Sequence, residues 1–255
     1  MFGVFSRILK VACVAGLMTV ASGVPVSALN VQPVVVDLMS KGRRSASIIT
    51  LQNALTGTVP VELSVREVQL VDDQFQELEA ESEDLMVFPA TALVPEGQSH
   101  AFRVQWVGEP DLDRSKHYYV SVAQLPIDLP ENENAVQILY NFKVLVSVGN
   151  PDGTAQIGIQ SATIETDDSG RAFPVIVARN EGNTHGYVAS SRMTIVQHDA
   201  AGTEIFRKSF TSDDVQRVMG LGLIPSGATR RLPLNVDLPR NEGTVSVTLS
   251  AAQGR

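Results

Sequence analysis

Four histidines, one cysteine, an acidic run and scattered arginines are the residues of this 255-residue chain whose chemistry goes beyond packing. A pair of histidines four apart on one helix face would suit zinc. His100, His117, His185 and His198 have no such spacing, and all lie in or beside segments that read as β-strand. Surface or half-buried strand histidines account for them more simply than a metal site. The run Glu77 to Asp84 (ELEAESED) offers oxygen ligands for a hard cation, but it lacks EF-hand spacing and the turn glycine. It reads as a solvated loop between strands. Asp167-Asp168-Ser169-Gly170 reads as a turn, since Asp, Ser and Gly favour turn conformations. Gly220-Leu221-Gly222 is followed by Leu-Ile-Pro instead of a helix start, so it is no phosphate cradle. There is no GxSxG, no HExxH, no P-loop and no GxGxxG before a helix. Nothing here requires an enzyme, a cofactor or a metal, and none is expected.

With catalysis set aside, composition bounds what the chain can be. Hydrophobic residues make up 44% and charged residues 19%, enough apolar material for a packed core and too little for a multi-span membrane protein. The net charge of −8 argues against a nucleic-acid-binding surface. A single cysteine rules out a disulfide framework. Residues 1–28 read as a signal peptide. Arg7 and Lys10 give the positive start, Val11 to Val24 the apolar stretch, and Pro25 the break. Val26-Ser27-Ala28 supplies the small residues of a cleavage site. The alternative is an uncleaved anchor, although the apolar run is shorter than the roughly 20 residues a spanning helix needs. Cleavage after Ala28 leaves 227 residues, a net charge of −10, no cysteine and no membrane span.

The exported part is written in strand grammar. Asn30–Leu38, Ser45–Asn53, Val59–Val68, His100–Trp106, His117–Leu125 and Ala135–Val148 are rich in Val, Ile, Thr and aromatics, and mostly bounded by turn residues. Val61-Glu62-Leu63-Ser64-Val65-Arg66 alternates as a strand with one solvated face does. Gly149-Asn150-Pro151-Asp152-Gly153 is the densest cluster of turn formers, and beyond it the same grammar resumes from Ala155 to Leu249. No window of 12 or more residues outside the signal has a clean helical period. The expectation is all-β, two Ig-like β-sandwiches, with domains at 29–151 and 152–255.

Ala135–Val148 (AVQILYNFKVLVSV) is the most informative segment, being long against a typical strand of about 5–6 residues. Val136, Ile138, Tyr140 and Phe142 share one face, with Gln137, Leu139, Asn141 and Lys143 on the other. Such a strand is either a buried central strand or an edge kept for another polypeptide. An uncovered apolar edge is otherwise an aggregation hazard.

The signal, the two sandwiches and the long closing strand together resemble the periplasmic pilus-assembly chaperones, the PapD-like family. The first domain carries the likeness in NVQPVVVDL at its start, VFPATALVPEGQSHAFRV (87–104), HYYVSVAQLP (117–126) and the closing VQILYNFKVLV (136–146). In the second domain, RNEGNTHGYV (179–188) and LIPSGATRRLPL (223–234) look like the archaic, spore-coat-U-associated branch. The resemblance implies a periplasmic chaperone that binds a pilus or fimbrial subunit by donor-strand complementation and delivers it to an outer-membrane usher, without ATP. It implies Val136, Ile138, Tyr140 and Phe142 as the residues that fill the subunit's groove. The loop from Ile127 to Asn134 looks like the family's short-loop type.

The family's carboxylate-anchoring pair is not intact here. Leu145 stands in the place of its lysine and Pro33 in the place of its first-strand arginine. Lys143, two residues before Leu145, and Arg103 are the candidate substitutes, against the plainer reading of solvated strand residues. Arg230-Arg231 reads as usher contact, as domain pairing, or as solvated charges beside a turn. A secreted two-domain Ig-like adhesin or structural surface protein is the alternative function.

Overall fold

The computed structural model describes residues 28–127 and 138–251. All but the last residue of the expected signal peptide, and with it Cys13, lies outside the described residues, as does Val136. Ten strands precede the Gly149–Gly153 turn: β1 (Leu29–Gln32), β2 (Val35–Met39), β3 (Ala46–Asn53), β4 (Val59–Val71), β5 (Gln74–Glu81), β6 (Leu85–Phe88), β7 (Thr91–Val94), β8 (Ser99–Trp106), β9 (Lys116–Gln124) and β10 (Asn141–Gly149). They form two sheets, β1-β3-β8-β6 and β2-β10-β9-β4-β5, with β7 also paired to β4.

Alternation places the apolar residues between these sheets. Ile49, Leu51, Phe102 and Val104 project from one, and Leu63, Val65, Val120, Val122, Val144 and Val146 from the other, into one continuous core. Tyr118 is wholly buried, and its hydroxyl donates to Asp84 Oδ2 at 2.8 Å, where Lys116 Nζ also donates at 2.8 Å. A buried hydroxyl without such a partner would cost stability, so this knot lets a tyrosine serve as core.

The second sandwich holds β11 (Ile157–Thr166), β12 (Ala172–Asn180), β13 (Gly186–Tyr187), β14 (Ser191–His198), β15 (Glu204–Phe210), a helix α1 (Ser212–Met219), β16 (Leu223–Ile224), β17 (Thr229–Pro233) and β18 (Thr244–Ala251). Its sheets are β11-β12-β17, β13-β16 and β15-β14-β18. Ile176, Ala178, Met193, Ile195, Phe210 and Leu234 form a second core, separate from the first. The fold is all-β with two sandwiches, as the strand grammar requires.

Four segments differ from expectation. The first part of the acidic run is strand, not a solvated loop: Gln74–Glu81 is β5, an edge strand that exposes Glu79 and Glu81 while its backbone pairs with β4. Asn30–Leu38 is two strands, because the chain crosses from one sheet to the other between Gln32 and Val35. His185–His198 is β13, a 3-10 turn (Val188–Ser190) and then β14. The helix α1 carries no signal long enough to be seen among the eighteen strands of the described residues. At eight residues it rests on a capping box, Thr211 accepting from the Asp214 amide while Asp214 accepts from the Thr211 amide, and on burial of Val215.

Candidate functional site: the open edge of β10 and the cleft above it

The closing strand begins later than its sequence suggests. β10 starts at Asn141, so Ile138, Leu139 and Tyr140 precede it, and Tyr140 is tied to Gln124 of β9 by two bonds: the Gln124 amide donates to the Tyr140 carbonyl at 2.8 Å and the Tyr140 amide to Gln124 Oε1 at 3.4 Å. β9 pairs with β10 antiparallel from Asn141 to Val148, but β2 pairs with it, in parallel, only from Leu145 to Gly149. The β2 side opens where the Leu145 amide donates to the Val34 carbonyl at 3.0 Å. Among the described residues, no strand covers that edge of β10 over residues 141–144.

Burial grades along the same segment. Val144, Val146 and Val148 are fully buried in the first core. Phe142 and Tyr140 are half-buried, stacked on each other with ring centroids 6.1 Å apart, and pack on the rim of that core. Ile138 is 69% exposed and Leu139 46%. Of the four residues expected to enter a partner's groove, Tyr140 and Phe142 touch their own core and Ile138 stands in solvent.

Lys143 and Arg103 are not brought together. Lys143 lies on the outward face of the β10 sheet, paired with Glu77 of β5 and 5.7 Å above the Tyr119 ring. Arg103 lies on the outward face of the opposite sheet, between Ile48 and Phe88 in register, and donates to Gln105 Oε1 at 3.1 Å. Two sheets and their core separate these cations, so they cannot clamp one carboxylate.

The outward face carrying Lys143 looks onto the second sandwich, and two contacts close that cleft. At one, Asp37 of β2 accepts from Tyr187 OH at 2.6 Å and from His185 Nε2 at 3.0 Å. Burial pushes the Asp37 carboxyl up, but the hydrogen bonds from His185 and Tyr187 outweigh it and hold the group below its ordinary range. Burial, then the bond to Asp37, pushes the Tyr187 phenol up. His117 of β9 stands edge-on to His185, ring centroids 5.4 Å apart, with Nδ1 hydrogen-bonded to Ser147 Oγ at 2.9 Å. At the other contact, the β4–β5 turn docks on β17. Asp73 Oδ1 accepts from the Arg231 amide at 2.7 Å, its carbonyl accepts from Arg230 Nε at 3.3 Å, and Arg230 covers the Phe75 ring. Asp72 and Asp73 adopt positive φ, which aspartate tolerates better than most residues and which a tight hairpin turn requires. Arg230 therefore meets the first sandwich through its side chain, whereas Arg231 meets it through its backbone amide and pairs its guanidinium with Glu165 of its own sandwich.

Spacing could not have revealed Asp37, His117, Ser147, His185 and Tyr187 as a cluster, because they come from four strands of two sandwiches and the stretch just before β13. The only signal is polarity at outward strand positions that a second domain happens to cover. Among the described residues, no group of three or more His, Cys, Asp or Glu is placed to hold a metal ion, and no helix is long and apolar enough to cross a membrane.

No family model matches the chain, and no curated protein matches it by sequence. Solved structures do match. A chain from the chaperone–tip adhesin complex of CFA/I fimbriae biogenesis is 12% identical, with a TM-score of 0.53 over 90% of this chain and 94% of that one. The YadV chaperone is 9% identical, with a TM-score of 0.50 over 87% of this chain and 91% of that one. Both likenesses extend through both sandwiches, and at these identities they establish a shared fold.

Proposed function

We propose that the chain is a periplasmic chaperone for pilus or fimbrial subunits, which lends the start of β10 to a subunit by donor-strand complementation. The observation that carries this reading is the edge of β10 left open over residues 141–144, continuous with exposed Ile138 and Leu139. A backbone edge with free amides and carbonyls pairs with an incoming strand, and side chains of alternate residues fill its pockets. Val136, Ile138, Tyr140 and Phe142 are the proposed groove-filling residues. The shared fold with a fimbrial chaperone and with a chain of a chaperone–adhesin complex supports the reading.

The rest of the proposal follows from the same resemblance. Residues 1–28 export the chain, 29–151 and 152–255 are its domains, it has no enzymatic activity, and the loaded chaperone hands its subunit to an outer-membrane usher. Lys143 is the proposed anchor for a subunit carboxylate, which would displace Glu77. Arg103, on the far sheet, is not part of that anchor. Coexpression of the full chain with a pilus subunit tests the reading. A stable one-to-one periplasmic complex is expected, lost with Ile138→Asp. A chain that exports and folds but recovers no subunit would favour the adhesin alternative.

A further inference from the structure

His117 is buried by an unusual agency. It points out of the first sandwich, on the same face as Tyr119 and Ser121, yet is only 5% exposed. What covers it is the junction: His185 from the second sandwich at 5.4 Å, and Phe75 from the β4–β5 hairpin at 5.9 Å. His117 Nε2 and His185 Nδ1 are both buried without a hydrogen-bond partner. A proton added to His117 Nε2 would place an N–H in a site with no acceptor and a cation against the His185 ring.

We propose that the His117–His185 pair makes the junction between the two sandwiches acid-sensitive, so that protonation drives the domains apart at this contact. The inference is independent of the chaperone reading. Asp37 of β2 holds His185 and, with Arg44 nearby, stays ionised. Tyr187 of β13 donates to Asp37, and Ser147 of β10 engages His117. Across Phe75 lies the Arg230 guanidinium, itself held by the Asp73 carbonyl. None of these offers a free acceptor to a protonated His117. Burial, then the neighbouring His185, keeps the closed-state His117 neutral down to about 3. Once the domains part, the ring meets water and titrates near the ordinary value of about 6.5. Linkage then raises the ratio of open to closed molecules by about 25-fold between pH 7 and pH 5.

Gly149 supplies an opener that does not depend on protons. A Cβ there would lie 2.6 Å from Thr184 Oγ1 of the second sandwich, so Gly149→Ala wedges the same contact. The test uses the full chain with spin labels at Ala101→Cys and Ser246→Cys, exposed positions on opposite sandwiches, and with Cys13→Ser. The distance between labels is followed by pulsed electron resonance at pH 7 and pH 5. Wild type is expected to gain a second, displaced population at pH 5, resembling that of Gly149→Ala at pH 7. His117→Asn is expected to hold the pH 7 distance at both values, whereas His185→Gln, which keeps a donor for Asp37 and leaves His117 buried, is expected still to respond to acid. A wild-type distribution that stays put at pH 5 while Gly149→Ala shifts would overturn the proposal. An acid response that persists in His117→Asn would overturn it equally.

Discussion

Substitutions walked along the closing strand should separate binding from folding within seven residues. Ile138 is 69% exposed, while full burial of such a side chain is worth about 1.5–3 kcal/mol, so roughly 1–2 kcal/mol of burial is still to be gained when a partner covers it. Ile138→Ala forgoes most of that gain. At 1.4 kcal/mol per factor of ten, affinity for a subunit falls about 5–30-fold. Ile138→Asp also carries a carboxylate into an apolar groove, at several kcal/mol more, and no complex should be recovered. Among the described residues Ile138 belongs to neither core, so unfolding free energy should stay within about 0.5 kcal/mol of wild type. Titration calorimetry with the purified subunit and urea unfolding of the free chain measure the two quantities. Unchanged affinity for Ile138→Asp would refute the donor assignment. A loss of more than about 1 kcal/mol in stability on Ile138→Ala would refute the claim that this residue stands outside its own core.

Three other expectations follow from the same geometry. Val144→Ala, at a fully buried position, should cost about 2 kcal/mol of stability in urea while leaving the folded chain's affinity for subunit nearly intact. Lys143→Ala should weaken subunit capture more than Arg231→Ala in a pull-down, because Arg231 is committed to Glu165 and to the Asp73 contact; the reverse order would move the anchor to the second sandwich. Asp84→Asn should cost about 1–3 kcal/mol at pH 7 by weakening the charge-assisted bonds from Lys116 and Tyr118. The Lys116 bond, then that of Tyr118, holds the Asp84 carboxyl below its ordinary 3.8 despite partial burial, so its contribution is complete above that value and is lost as pH falls through the lower folded one. Urea midpoints for the two proteins should converge in that acid range, and a constant difference would assign the effect to packing.

Much of the fold is legible in residue order, because period-two alternation reports which face meets a core. Val61 to Val65 and Phe102 to Trp106 read correctly for that reason. Alternation fails where strand pairing and burial part company. β5 pairs through its backbone while exposing glutamates, so its composition imitates a loop. The stretch 138–140 errs in the opposite sense: it has the apolar residues of a strand, but among the described residues it is held to β9 at Tyr140, through Gln124, without joining the ladder. That mismatch, apolar sequence without a place in its own sheet, is the physical content of the candidate site. The junction was illegible for a different reason. His117 and His185 lie 68 residues apart, and neither local pattern nor spacing records that two outward faces will meet.

The parallel pairing of β2 with the second half of β10 also acts as a register stop. An incoming strand on that side can advance along β10 only until it meets Val34 and Val35, where the Leu145 amide is already taken. Four residues of open edge, about 13 Å at the strand rise, therefore set the phase of any partner. A slip by one residue would turn its apolar side chains to the wrong face. Lengthening β2 at its start would shorten the landing site without touching a single residue that a partner contacts.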